Sequence, residues 1–96
     1  MTTPLRTLKL AYDARQDEEI LTQGEIAKLI SEFAVTASKP DIENVAEDIA
    51  RRMSEYGVTT VGDLRSLNAR AIDRLGATRL QATRLRGFLG VFLTGH

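Results

Sequence analysis

Apolar residues recur at helical spacing through most of this chain, and residues that typically begin helices precede them. The first such stretch follows Thr22 and Glu25, whose spacing fits a capping box in which each side chain binds the other residue's backbone amide. The apolar residues after it lie on one helix face: Ile26, Leu29, Ile30 and Phe33. The pattern therefore predicts a first amphipathic helix that ends near residues 33–36.

A second helix is predicted after the turn Ser38-Lys39-Pro40-Asp41. Ser38 marks its start, while Pro40 and Asp41 suit its first turn because proline needs no amide partner there and an acid complements the helix dipole. Its predicted apolar face comprises Ile42, Val45, Ala46, Ile49 and Met53. Gly57, which tolerates a left-handed conformation, should end this helix after Tyr56.

Two short helices are predicted next. Thr60 and Asp63 resemble a second capping box and should open the first of them. Asn68 can cap the other through its side-chain oxygen, and Gly76 is expected to end it in the left-handed conformation.

The last helix is predicted to be the longest and to begin at Thr78. Its inner face should comprise Ala82, Leu85, Phe88, Leu89 and Phe92. Gly87 and Gly90 interrupt it, each at a cost of ~1 kcal/mol relative to alanine. They indicate either the close approach of another backbone or fraying of the last turns. The fold class predicted from these patterns is all-α: a compact five-helix bundle with short central helices, a long C-terminal helix and an N-terminal extension.

Residues 1–21 form the extension, an N-terminal arm ahead of a helical domain at 22–96. Leu8, Leu10 and Tyr12 alternate as in a strand, whereas Pro4 followed by Leu5, Leu8 and Tyr12 suits a helix start. Three alternatives stay open for this arm: an extra helix, an ordered strap over the domain, or a flexible tail.

The composition excludes most kinds of catalytic site. The 96 residues contain no cysteine, and the one histidine is the terminal His96. No apolar run approaches the ~20 residues that span a bilayer, and no signal-like stretch opens the chain. We therefore expect an intracellular, cytoplasmic domain that is not an enzyme and has no cofactor, no metal, no small-molecule substrate and no membrane partner.

The formal net charge of zero conceals a segregation of charge along the chain. Residues 1–48 carry five basic and ten acidic side chains, whereas residues 49–96 carry eight arginines and three acids. Such a chain can present oppositely charged surfaces that favour self-association or a charged partner. The alternative is that the two halves merely form solvated faces of different sign.

The segment Tyr56–Leu67 reads YGVTTVGDLRSL, and Ile72–Leu80 reads IDRLGATRL. They resemble the middle of sterile alpha motif (SAM) domains and the segment before the final helix of that family. Thr22–Ile30 lies where their first helix begins, so the resemblance covers about residues 22–93. The chain lacks the tryptophan common in that first helix, and it has Gln81-Ala82-Thr83 where the family often has Gly-His-Arg.

The resemblance implies a scaffold-like interaction module that pairs head to tail with itself or with another helical interaction domain, as a homo-oligomer or polymer. One contact would be the end-helix surface at the start of the last helix: Thr78, Arg79, Leu80, Gln81, Thr83 and Arg84. The other would be the acidic mid-loop surface: Glu47, Asp48, Glu55 and Asp63. A contact between two different patches propagates into open chains unless its rotation closes a ring.

Nucleic-acid binding is the alternative function, since some domains of this family bind RNA hairpins through basic residues. Lys39, Arg79, Arg84 and Arg86 would then contact phosphates. The pI of about 6.6 and the absence of aromatic residues between the arginines argue against it.

Overall fold

A computed structural model describes residues 4–76 and 78–94, so Ala77 and His96 lie outside the described residues. Within those ranges the chain is helical, and no strand occurs among them. The helices in chain order are α1 (Leu5–Asp13), α2 (Gln23–Thr36), α3 (Pro40–Glu43), α4 (Ala46–Tyr56), α5 (Val61–Arg65), α6 (Ala69–Asp73) and α7 (Arg79–Phe92). The predicted all-α class is confirmed.

The helix expected after Pro40 is divided into α3 and α4. The division lies at Asn44 and Val45, where Val45 leaves the helical conformation with φ −114° and ψ 13°. Helical hydrogen bonding resumes when the amide of Ile49 donates to the carbonyl of Val45 at 2.9 Å. The described residues therefore contain six helices after residue 21 instead of five.

Ser38 ends α2 and does not begin α3, so that prediction was wrong. Its φ of 56° lies in the left-handed region, and its amide donates to the carbonyl of Val35. The next amide, of Lys39, donates to the carbonyl of Ala34 at 2.8 Å. This pair of bonds is a Schellman motif, which satisfies the last carbonyls of α2.

The remaining helix starts follow the sequence signals. Thr22 with Glu25 and Thr60 with Asp63 form the two predicted capping boxes. The side-chain oxygen of Asn68 accepts the amide of Ala71. Thr78 caps α7 in the same way. At the end of α4, Gly57 adopts the left-handed conformation with φ 107°, as predicted.

The core is aliphatic and is built mainly by α2, α4 and α7. α2 and α4 form the most extensive helix pair, and α6 packs on α7. The predicted inner face of α7 is buried at Ala82, Leu85, Phe88 and Leu89, with Phe92 packed at its edge. The largest fully buried side chains are Phe33, Ile26, Ile30, Ile49, Met53, Leu64, Leu75, Leu85, Leu89, Leu93 and Val61.

Gly76 is needed for close packing, because a side chain there would collide with the first turn of α7. A Cβ atom on Gly76 would lie 2.6 Å from the backbone nitrogen of Ala82 and 2.7 Å from its Cα. Among the described glycines only Gly57 has a positive φ, so Gly76 is not the left-handed helix end that the sequence predicted. Cβ atoms on Gly87 and Gly90 would meet nothing within 4 Å, so no backbone approaches α7 at those positions.

Residues 5–21 pack on the bundle. The side chain of Tyr12, at the end of α1, is 2% exposed and meets Phe33 edge to face. The connection from α1 to α2 runs against the start of α5, where the amide of Leu21 donates to the carbonyl of Thr59 at 2.8 Å. The amide of Gly62 donates to the carbonyl of Asp17 at 2.9 Å. Backbone hydrogen bonds thus join this connection to the start of α5 and to the residue before its cap.

Candidate protein-interaction surfaces

The end-helix surface lies at the start of α7, where its residues are largely solvent-exposed. Thr78 accepts the amide of Gln81 at 3.1 Å, and the hydroxyl of Thr83 donates to the carbonyl of Arg79 at 3.0 Å. Leu80 projects with 61% of its surface exposed. The geometry therefore places an apolar side chain at a polar, basic helix start.

Arg79 and Arg84 differ in their surroundings. Arg84 forms an ion pair with Asp41 of α3, with Nη1 3.4 Å from Oδ2. Arg79 has no ion-pair partner in residues 4–76 or 78–94, and the first turn of α7 contains no acidic residue. Its positive charge thus lies beside the positive end of the helix dipole, an arrangement that favours an incoming carboxylate.

The mid-loop residues on α4 are paired within the helix. Arg51 forms ion pairs with Asp48 and with Glu55, the latter at 3.4 Å. Arg52 also contacts Asp48 at 3.1 Å. The hydrogen bond from Arg51 lowers the pKa of the Asp48 carboxyl below its usual range. The charges of Asp48 and Glu55 are therefore largely compensated before any partner arrives.

Asp63 serves the capping box of α5. Its Oδ2 accepts the amide of Thr59 at 3.1 Å, the hydroxyl of Thr59 at 3.0 Å and the amide of Thr60 at 3.2 Å. These bonds, those from Thr59 foremost, lower the pKa of the Asp63 carboxyl. Of the four mid-loop residues, Glu47 alone has neither an ion-pair nor a hydrogen-bond partner in the described chain.

The four basic residues considered for nucleic-acid binding also differ in whether they have an ion-pair partner. Arg86 pairs with Asp73 and Arg84 with Asp41, which leaves Lys39 and Arg79 unpartnered among the described residues. Lys39 and Arg84 lie at the rim of a groove of about 620 Å³ between α3 and α7, whose apolar wall includes Phe88 and Val91.

Sequence reasoning overlooked two more exposed cations and one anchoring arginine. Arg70 and Arg74 lie one turn apart at α6, and neither has an ion-pair partner in the part of the chain that is described. Arg65 instead joins α5 to the N-terminal arm, donating to the carbonyls of Tyr12 and Arg15 and to the carboxylate of Asp17. The spacing of Arg70 and Arg74 was visible in the sequence, whereas the contacts of Arg65 span about fifty residues.

Two kinds of site are absent from the described residues. No group of three or more His, Cys, Asp or Glu side chains there is arranged to hold a metal ion. No helix within residues 4–76 and 78–94 is long and apolar enough to cross a membrane.

No protein-family model matches the sequence, and the comparisons with curated proteins and with solved structures gave no significant match. The likeness to sterile alpha motif domains therefore rests on the residues quoted from Thr22 to Leu80.

Proposed function

We propose that this chain is a protein-interaction module of the sterile alpha motif type that associates with itself head to tail through the end-helix surface. The observation that carries the proposal is the exposure of Arg79 and Leu80 side by side, Arg79 with no ion-pair partner in the described chain. A cation beside a projecting apolar side chain is a suitable combination for docking on an acidic surface with an apolar centre.

The two side chains would contribute differently to a contact. Because 61% of Leu80 is exposed, burying that remaining surface is worth ~1–2 kcal/mol, which supplies affinity. Arg79 would form charge-assisted hydrogen bonds with a carboxylate, which set the orientation of the partner and speed the encounter. In the family arrangement the acceptor is the mid-loop surface, of which Glu47 has the uncompensated charge.

The order of helices supports the finer fold assignment. α2, the divided helix α3–α4, the short α5 and α6, and the long α7 follow one another as the five helices of such domains do. A contact between the start of α7 in one copy and α4 in another joins two different patches, so it would be heterologous and would produce open chains or rings.

Sedimentation velocity of the whole chain over a range of protein concentrations tests this proposal. We expect the mean sedimentation coefficient to rise with concentration at about 50 mM salt and the rise to shrink at about 500 mM, because salt screens charge pairs at an interface. A monomer at every concentration in both buffers would contradict self-association.

RNA binding is the second candidate. It is favoured by Arg70, Arg74 and Arg79, which have no ion-pair partner within residues 4–76 and 78–94. Titration of a fluorescent RNA hairpin at several salt concentrations distinguishes the two functions. An RNA-binding surface would give an affinity that falls steeply with salt, with a slope set by the number of phosphates contacted. Self-association in the absence of RNA binding would support the protein-interaction function.

A further inference from the structure

Most carboxylates of this chain have a partner within it, and the exceptions show where a second molecule could bind. The described residues pair their acids by ion pairs or by helix caps, apart from Glu18, Glu43 and Glu47. Glu18 lies in the connection between α1 and α2. Glu43 and Glu47 lie close together, on either side of the break between α3 and α4.

Glu43 and Glu47 line one cleft, which lies between α2 and the α3–α4 break. The cleft has a volume of about 580 Å³, within the range of ligand-binding clefts. Its other walls include the small residues Gly24, Ala27 and Ala46. A Cβ atom on Gly24 would meet nothing within 4 Å, so the wall is open there.

Lys28 is the basic residue that lines this cleft, and it forms an ion pair with Glu32. Its Nζ lies 4.0 Å from Oε1 of Glu32, one turn further along α2, and its side chain is 77% exposed. The two glutamates opposite it therefore remain uncompensated within the described chain. The cleft thus combines a negative rim with a lining of small side chains.

The charges of the two regions are complementary. Residues 22–48, which contain the cleft, carry six acidic and two basic side chains. Residues 69–94, which contain α6 and α7, carry five arginines and one aspartate. Opposite net charges on two different parts of one molecule favour contact between unlike surfaces of two copies.

We infer that the cleft between α2 and the α3–α4 break receives the end-helix surface of a second copy of this chain. In this contact Arg79 of one copy would bind Glu43 and Glu47 of the other. Leu80 would pack on the small residues Gly24 and Ala27. The inference rests on the proposed self-association and moves the acceptor from the mid-loop surface to this cleft, which shares only Glu47 with that surface.

Two charge reversals in full-length chains test the assignment by sedimentation velocity. The acceptor variant is Glu43→Arg/Glu47→Arg, and the donor variant is Arg79→Glu. We expect each variant alone to be monomeric, with self-association weakened by at least about tenfold, because each leaves like charges facing at the contact. An equimolar mixture should form a dimer that does not grow further, since each variant retains one intact surface and only one unlike pair can form.

Two control variants outside the cleft and one variant that blocks it show whether the loss of association belongs to the cleft. Glu18→Arg makes the same kind of charge change outside the cleft and should associate as the wild type does. Glu55→Arg changes the mid-loop surface and should also associate normally. Gly24→Gln extends a neutral side chain into the cleft, keeps the net charge and should weaken association.

The outcomes distinguish the inference from the function on which it rests. If Glu55→Arg abolishes association while the single variant Glu43→Arg, which lies outside the mid-loop surface, retains it, the cleft assignment is wrong and head-to-tail pairing through the mid-loop surface stands. If the wild type stays monomeric at all concentrations, both are wrong. Circular dichroism of each variant should show wild-type helicity, and if Glu43→Arg/Glu47→Arg lacks it, the single substitution Glu43→Arg is used in its place.

Discussion

The hydroxyl of Tyr12 donates a hydrogen bond to the backbone carbonyl of Leu93, across 81 positions of sequence. Beside it, Nζ of Lys9 donates to the carbonyl of Phe92 at 3.1 Å. The last carbonyls of a helix have no partner within the helix, so two side chains of α1 satisfy the end of α7. The positive charge of Lys9 also complements the negative end of the α7 dipole.

Tyr12→Phe keeps the ring in the core and removes the bond to Leu93. We expect the free energy of unfolding to fall by about 1 kcal/mol, the typical loss for one buried neutral hydrogen bond. Urea denaturation followed by circular dichroism measures the change. An unchanged midpoint would show that the bond contributes nothing to stability.

The burial of Tyr12 also leads us to expect that the folded protein loses stability at alkaline pH. Burial raises the pKa of Tyr12 from 10.0 to about 12, against the opposing effect of Arg65. Because the folded state favours the protonated phenol, its contribution to stability is complete below about pH 10 and is lost as the pH rises toward about 12. The melting temperature of the wild type should therefore fall more steeply across that interval than that of Tyr12→Phe, and parallel profiles would contradict this assignment.

Arg65 is predicted to hold the N-terminal arm in place. Its guanidinium donates to the carbonyl of Tyr12 at 2.6 Å and to Asp17 Oδ1 at 2.6 Å, and it lies 5.1 Å from the centre of the Tyr12 ring. Lysine cannot reproduce these divergent bonds, so Arg65→Lys should cost about 2 kcal/mol of unfolding free energy. Arg51→Lys, at an exposed intrahelical pair, is the matched control and should change it by less than about 0.5 kcal/mol.

Amide hydrogen exchange locates the effect of Arg65→Lys within the molecule. Protection should fall at Leu21, whose amide binds the carbonyl of Thr59, and at Gly62, whose amide binds Asp17. The amides inside α4 should keep their protection relative to global unfolding. A uniform loss throughout the chain would argue against a local anchoring role.

Two glycines should respond to alanine in opposite directions. Gly76→Ala forces a Cβ against the backbone of Ala82 and should destabilise the protein by ~1–3 kcal/mol, as overpacking does. Gly87→Ala adds a methyl group in open space within α7 and should stabilise it by up to about 1 kcal/mol. Thermal melts of both variants measure whether each melting temperature falls or rises as expected. A tolerated Gly76→Ala would mean that α7 can shift away from α6.

Arg79→Glu should weaken self-association by at least about tenfold while the melting temperature stays near that of the wild type, because Arg79 has no ion pair in the described chain to lose. Arg6→Glu is the matched control, since Arg6 is also exposed and unpaired among the described residues but lies on α1. Concentration-dependent sedimentation of the two variants provides the comparison. Equal losses would indicate a general charge effect and not a surface at α7.

The sequence predicted those features that depend on neighbours within one helical turn. The caps at Thr22, Thr60, Asn68 and Thr78 join residues three positions apart, so the local pattern contains the whole interaction. The mid-loop ion pairs of Arg51 have the same short spacing and could have been anticipated. The bonds of Tyr12 and Arg65 could not, because they join distant segments that only the packing of α1 and α5 brings together.

The contact between Tyr12 and Leu93 also brings the first and last described helices into one neighbourhood. Because Tyr12 lies seven residues after the start of α1, about 10 Å along the helix, a linker from the end of α7 to Leu5 that spans this distance should be compatible with the same contacts. New chain ends could be opened within residues 66–68, where Ser66 and Asn68 are exposed. Leu67 is buried, so the cut would have to leave it attached to either α5 or α6. In that circular permutant α1 would follow α7. The hydrogen bonds of Tyr12 and Lys9 to the end of α7 would then join residues close in sequence, which favours their early formation in folding.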